Sequence, residues 1–283
     1  FAYRETDPCR LVQAPQAGYC GRQSRSGTEH MNIGQYNTLT ARRLTEQGWL
    51  LDAGSAQALL PRSLAPADLQ TGQRLRVFVY LDNRERAVAT TRQPLALVGD
   101  FAFLEALSVT EQGAFMDWGI EKDLFVPGNL QHRPVRVGER HVTAVDLDRR
   151  TGRVVGATQL GKYFDYDLDG LEVGDEVSLL VYDFNDAGAQ VVVDGRHAGI
   201  VYRDETHVQL SLGEEQTGYI RRFRNDNRLD VGLQKPGLAG RDDAQAVILQ
   251  ALRAAGGRLG VHDGSSPEEI GRLLGLSKKA FKR

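Results

Sequence analysis

The sequence predicts a mainly β protein, three small barrels in tandem followed by a helical tail, and three observations predict it. Thr45-Glu46-Gln47-Gly48 returns letter for letter as Thr110-Glu111-Gln112-Gly113. A glycine spacing of fourteen positions runs through the chain three times, from Gly34 to Gly48, Gly99 to Gly113 and Gly174 to Gly188. A later glycine, at Gly72, Gly138 and Gly213, follows the first of each set by 38 or 39 positions. Self-similarity at a fixed period means repeated structural units, and it sets the fold before any single segment does.

Each unit reads as strand after strand. In the first, Tyr36 to Thr45 alternates loosely, Trp49-Leu50-Leu51 follows a glycine, and Ala58-Leu59-Leu60 precedes a proline. Leu75 to Tyr80 alternates strictly, and the polar turn Asp82-Asn83-Arg84-Glu85 leads to a last strand from Arg86 to Thr91. The second unit repeats this with a strand ending at Val145, a turn at Asp148–Gly152 and a strand from Arg153 to Val155. The third has Thr217 to Ile220, the turn Asn225-Asp226-Asn227 and Arg228 to Val231. Period-two runs bounded by Gly, Pro, Asn and Asp are strands joined by tight turns. Five short strands per unit are too few for two full sheets, and closing the sheet removes its exposed edges. The five-stranded Greek-key barrel, the OB-fold, fits that strand count, and its strands 2 and 3 with their adjoining loops bind oligonucleotides. The paired glycines suit the sharp corners of a small barrel.

From Arg241 the period becomes helical. Ala246-Val247-Ile248-Leu249, Leu252 and Ala255 recur at helix spacing, with Asp242 and Asp243 in the first turn and Gly256-Gly257 as the stop. Ser266-Pro267-Glu268-Glu269 is a second helix start: serine as N-cap, proline in the first turn, glutamates facing the dipole. Ser277 opens a third helix. The layout is a helix-turn-helix that ends inside its third helix. The expected divisions are a leader over 1–30, barrels over 31–95, 96–164 and 165–238, and a partial winged-helix tail over 239–283. Residues 1–30 begin without Met, show no apolar period and end in a Gly/Ser/Arg-rich run, so they are expected to be an unstructured or extraneous leader.

Composition narrows the function classes. In 283 residues, 41% are hydrophobic and 25% charged, as in ordinary globular proteins. No apolar run reaches the roughly 18 residues a membrane helix needs, and no signal-peptide pattern opens the chain, so a cytoplasmic protein is expected. Cys9 and Cys20 both lie in the leader, which leaves the body without a disulfide framework or zinc quartet. The net charge of −2 hides an uneven distribution. Residues 165–220 hold thirteen acidic against two basic residues, and residues 221–283 hold thirteen basic against seven acidic. A basic stretch beside an acidic one points to one directed face for a polyanion.

Two segments carry a family resemblance: Arg224-Asn225-Asp226-Asn227-Arg228-Leu229-Asp230, and Ser265-Ser266-Pro267-Glu268-Glu269-Ile270 with Ser277-Lys278-Lys279-Ala280-Phe281-Lys282. Through them the chain, from about residue 31 onward, resembles the conserved virulence factor B (CvfB-like) family of bacterial RNA-binding regulators. The resemblance implies three S1-type OB domains followed by a winged helix. The family's wing is expected to be absent from this tail.

Single-stranded RNA is held by aromatic rings that stack bases and by cations that meet phosphate. In an S1-type barrel those rings sit in strand 2, just after its glycine, and in strand 3. The second unit offers Phe115, with Phe125 as a second candidate, and the third offers Tyr202. The first has Leu50 and Pro61 at the corresponding places and is expected to bind weakly. Phe125, between Leu124 and Val126, is expected in the core; Phe115 and Tyr202 stand equally as core or stacking rings. Arg221, Arg222, Phe223, Arg224 and Arg228 form the densest basic segment, interleaved with an aromatic, and are expected in the strand 4–5 loop, facing RNA. Lys278 and Lys279 extend the basic surface into the tail. The third barrel and tail are expected to supply most of the affinity, with the acidic residues 165–220 lying away from the groove.

Other chemistry is weakly signalled. Asp165-Tyr166-Asp167-Leu168-Asp169-Gly170 with Glu176 satisfies the EF-hand spacing, but a strand follows it instead of a helix, so an acidic linker is the expected reading. His197 and His207 are expected as surface or satisfied core groups. No phosphate loop, His-Glu-x-x-His or Gly-x-Ser-x-Gly is present, so no catalysis, cofactor or metal is expected. The function expected is post-transcriptional regulation by binding single-stranded RNA. The alternatives are a scaffold for other proteins, because the acidic stretch repels RNA, and DNA binding by the tail.

Overall fold

In the computed structural model, residues 31–203, 208–235 and 238–282 are described; the expected leader and His207 lie outside them. The first barrel runs β1 Gln35–Leu44, β2 Gly48–Ala53, β3 Ala56–Pro61, β4 Arg74–Leu81 and β5 Ala87–Thr90. The second runs β6 Phe101–Thr110, β7 Gly113–Met116, β8 Leu124–Pro127, β9 Arg140–Leu147 and β10 Val154–Ala157. The third runs β11 Glu176–Phe184, β12 Gly188–Val193, β13 His197–Tyr202, β14 Glu215–Phe223 and β15 Leu229–Gly232. Gly48, Gly113 and Gly188 each open the second strand of their barrel, and the strands after Gly72, Gly138 and Gly213 each begin two residues on. The repeated glycines therefore mark equivalent places.

The first and third barrels close in the order β1-β2-β3-β5-β4 and β11-β12-β13-β15-β14, with a parallel contact between their third and fifth strands. The second is only nearly closed: its sheet runs β10-β9-β6-β7-β8, with β8 and β10 adjacent but not joined by a ladder. Side chains fill that gap, since an added Cβ on Gly156 of β10 would meet Val126 at 2.8 Å and Leu124 at 3.0 Å, both from β8. Between β7 and β8 the chain leaves the sheet, where the first barrel has a tight hairpin. Those residues carry Trp118 into the seam with the first barrel.

Trp118 is the largest fully buried side chain and donates its indole N–H to the Ala96 carbonyl at 2.8 Å. Phe78 meets it edge-on, with ring centroids 5.3 Å apart. β4 is thus buried on both faces: Val77 and Val79 fill the first barrel, while Phe78 and Tyr80 turn outward into the seam. Burial, with Glu121 and Asp82 nearby, pushes the Tyr80 hydroxyl up to about 12. The second and third barrels meet the same way. Val142 and Ala144 of β9 pack with Val192 and Ala198 of the third barrel, and Phe101 stacks on Phe164 at 5.4 Å. Strict alternation within a strand reads as one buried face, and here the tandem arrangement buries the second.

The tail forms α1 Leu238–Ala254, α2 Pro267–Leu274 and α3 Lys278–Phe281. α1 begins a few residues before the expected start. At α2, Ser266 accepts from the Glu269 N–H while the Glu269 side chain accepts from Ser266 N–H, a full capping box. Ser277 caps α3 in the same manner. Ile270, Leu274, Leu276 and Val261 form the small core of the three helices.

Candidate nucleic-acid interface

A close backbone approach builds the same outer face in each barrel. Gly48, Gly113 and Gly188 stand opposite Pro61, Pro127 and Tyr202 on the third strand. A Cβ on any of them would collide with the carbonyl oxygen of Leu60, Val126 or Val201, so only glycine fits. Two residues on, the second strand turns a side chain outward, paired with one from the third strand: Leu50 with Leu59, Phe115 with Phe125, and Gln190 with Ile200. In the closed barrels the fifth strand completes the face with Val88 and Asp230. The three faces differ in chemistry: aliphatic in the first barrel, aromatic in the second, polar and charged in the third.

Phe115 and Phe125 lie with ring centroids 5.0 Å apart and planes at 42°, both half-exposed. The expectation that Phe125 is core is corrected here. Leu124 and Val126 point inward and are 1% and 0% exposed, so the residue between them must point out. The pair leaves ring area open to a base.

On the third barrel, Arg222 donates from Nε and Nη2 to one carboxylate oxygen of Asp230, at 2.9 and 2.6 Å. Arg224 donates to the Tyr202 hydroxyl at 2.9 Å, approaches the other Asp230 oxygen at 3.6 Å and also bonds Asp226 at 3.1 Å. The hydrogen bond donated to Asp230 holds Arg222 above the ordinary guanidinium range, as that donated to Asp226 does Arg224. Asp230 is 5% exposed, whereas the Arg222 side chain is 69% exposed. A buried carboxylate thus fixes a cation whose outer edge faces solvent.

The structure brings Tyr202, Arg222 and Arg224 together, but not every expected residue joins them. Arg221, Arg222 and Phe223 are in β14, and only residues 224–228 form the hairpin loop, because the ladder continues from Arg222–Asp230 to Phe223–Leu229. Arg221 sits at the β14 bulge and bonds the Gln234 carbonyl across Gly232. Phe223 packs against the third barrel's core. Arg228 is exposed and turns toward the second barrel, where it lines an inter-barrel cleft. Lys278 and Lys279 open α3, which packs on α1 and α2. Asp183 lines the same cleft as Arg228, so the acidic stretch is not held wholly away from the basic residues as expected. His197 is buried and hydrogen-bonds the Asp165 carbonyl at 2.8 Å. Asp165 and Asp167 accept from backbone N–H groups two residues on, and Glu176 lies in β11 within 3.1 Å of the Tyr219 hydroxyl. Sequence reasoning missed Asp230; its signal was a lone carboxylate between Leu229 and Val231 in a buried strand.

A family model described as an S1 domain matches residues 33–92, which is the first barrel, and one described as a CvfB-like winged helix domain matches residues 246–283. The tail is thus similar to the CvfB-like winged helix. The chain is 26% identical over 270 residues to the uncharacterized protein YitL of Bacillus subtilis, covering 90% of this chain and 88% of that one. It is 23% identical over 223 residues to conserved virulence factor B of Staphylococcus haemolyticus, covering 76% of this chain and 75% of the relative. A crystal structure of a multidomain protein with nucleic acid binding domains from Streptococcus pneumoniae aligns with it at 19% identity and a TM-score of 0.43, over 88% of this chain and 90% of that one. The similarity to these relatives runs over both the barrels and the tail, and the second and third barrels share the strand plan of the matched S1 domain. Among the described residues, no helix is long and apolar enough to cross a membrane.

Proposed function

We propose that this chain binds single-stranded RNA on the outer faces of its barrels, without catalysis, and acts in post-transcriptional control. The observation that carries the reading is that equivalent faces hold the two kinds of group RNA binding needs. The second barrel presents the Phe115–Phe125 ring pair, and the third presents Tyr202 with Arg222 and Arg224. Rings stack bases of any sequence, and guanidinium groups meet phosphate. The matched S1 and winged-helix models support nucleic-acid binding. The first barrel, with Leu50 and Leu59 in place of the rings, contributes least.

Equilibrium binding of a short single-stranded RNA, compared with duplex DNA of the same length, tests this. Tighter binding of the RNA is expected. Preference for the duplex would move the function to the tail, and no binding to either would favour a protein-interaction scaffold.

A further inference from the structure

Between the second and third barrels the surface opens into a cleft of about 410 Å³. That is within the ~300–1,000 Å³ range of small-ligand sites. His132, Arg133 and Arg140 wall it from the second barrel, and Tyr182, Gln190 and Arg228 from the third. Among the described residues, its lining holds three arginines against one carboxylate, Asp183. Arg140 is held in place, its guanidinium 4.7 Å above the Phe103 ring and bonded to the Phe103 carbonyl at 3.3 Å. Tyr182 is fixed against Phe164, ring centroids 5.7 Å apart. Arg133 is exposed and makes no salt bridge among the described residues. Cationic walls, a fixed ring and the Gln190 amide together match a phosphate, a base and a base edge.

Gln190 also belongs to the outer face of the third barrel, where it stands opposite Ile200, itself beside Asp230. The face and the cleft are therefore one continuous surface. We infer that the cleft is a nucleotide site: Arg133, Arg140 and Arg228 take a phosphate, and Tyr182 and Gln190 take the attached base. Its ligand is a phosphate-bearing nucleotide, either one unit of an RNA strand running from the third barrel toward the second or a free nucleoside monophosphate. The RNA version rests on the function proposed above.

The test uses the full chain and a variant, His132→Ala with Arg133→Ala, both exposed positions outside the Tyr202–Arg222–Arg224 cluster. A twelve-nucleotide RNA and free adenosine monophosphate are titrated separately against each protein, with thermal melting to confirm equal folding. Weaker RNA binding by the variant, with a salt slope shallower by about 0.7 for the lost phosphate contact, supports the cleft as part of an RNA track. Binding of the monophosphate by the parent and not the variant, without RNA binding, supports the cleft and removes the RNA reading. If the parent binds RNA and the variant matches it in affinity and slope, with no response to the monophosphate from either, the cleft is not a nucleotide site while the proposed function stands. Silence of the parent toward both ligands overturns both.

Discussion

Arg222 and Asp230 are joined across β14 and β15 by two hydrogen bonds, from a largely exposed guanidinium to a buried carboxylate. The carboxylate uses one oxygen for both bonds, and its other oxygen has no hydrogen-bond partner among the described residues, with Arg224 3.6 Å away. Charge-assisted bonds of this kind are short and directional. They aim Arg222 and Arg224 before any ligand arrives, which lowers the ordering cost of binding.

Replacing Arg222 and Arg224 together by alanine is expected to weaken RNA binding to all sequences alike. Each lost phosphate contact removes about 0.7 from the slope of log K against log salt for single strands, about 1.4 for both. The same variant strips Asp230 of its partners and is expected to melt at lower temperature. Tyr202→Ala is expected to cost about 1–3 kcal/mol of stacking and leave the slope unchanged. Fluorescence anisotropy over a salt series separates the two; a Tyr202 variant that changes the slope would show that its hydroxyl matters only as a holder of Arg224.

Phe115→Ala and Phe125→Ala are each expected to cost about 1–3 kcal/mol of RNA affinity with no change in salt slope or fold. Both rings are half-exposed, so little core is lost. The double variant should cost less than the sum, because either ring alone loses its partner. Binding isotherms at one salt concentration check this, and full affinity in both single variants would remove the second barrel from the interface.

Much of this arrangement was legible in the sequence. The glycine spacing fixed which residue opens each second strand, because a carbonyl crosses there and excludes a Cβ. It also placed Phe115 two residues on, but left open whether that ring packs inward or faces out. The core expectation for Phe125 fails because its neighbours Leu124 and Val126 are apolar too, and a run of three apolar residues does not reveal which one alternates outward. The arginine segment was assigned whole to a loop, since its charges resemble a solvated turn; in fact the ladder runs through Phe223 and splits the arginines into separate roles. The cleft was not legible at all. Its residues are spread from Phe103 to Arg228 and meet only because Phe101, Phe164 and Tyr182 seal the second barrel against the third.

Sealing of this kind gives a stability prediction. Trp118→Ala removes the largest side chain of the seam between the first two barrels and leaves the Ala96 carbonyl without its donor. A loss of about 3–5 kcal/mol is expected from denaturant unfolding, as for other buried aromatic-to-alanine changes. A loss below about 1 kcal/mol would mean that the barrels fold without relying on their seam.

The central claim is that the barrels' outer faces bind single-stranded RNA by stacking and phosphate contact together. The most direct measurement is the affinity of the full chain for a short RNA across a salt series. Arg222 and Arg224 predict a slope near −1.4, about 0.7 for each of two contacts, with binding that persists at high salt because stacking is not screened. A flat salt dependence, or equal affinity for duplex DNA at every salt concentration, would contradict the account.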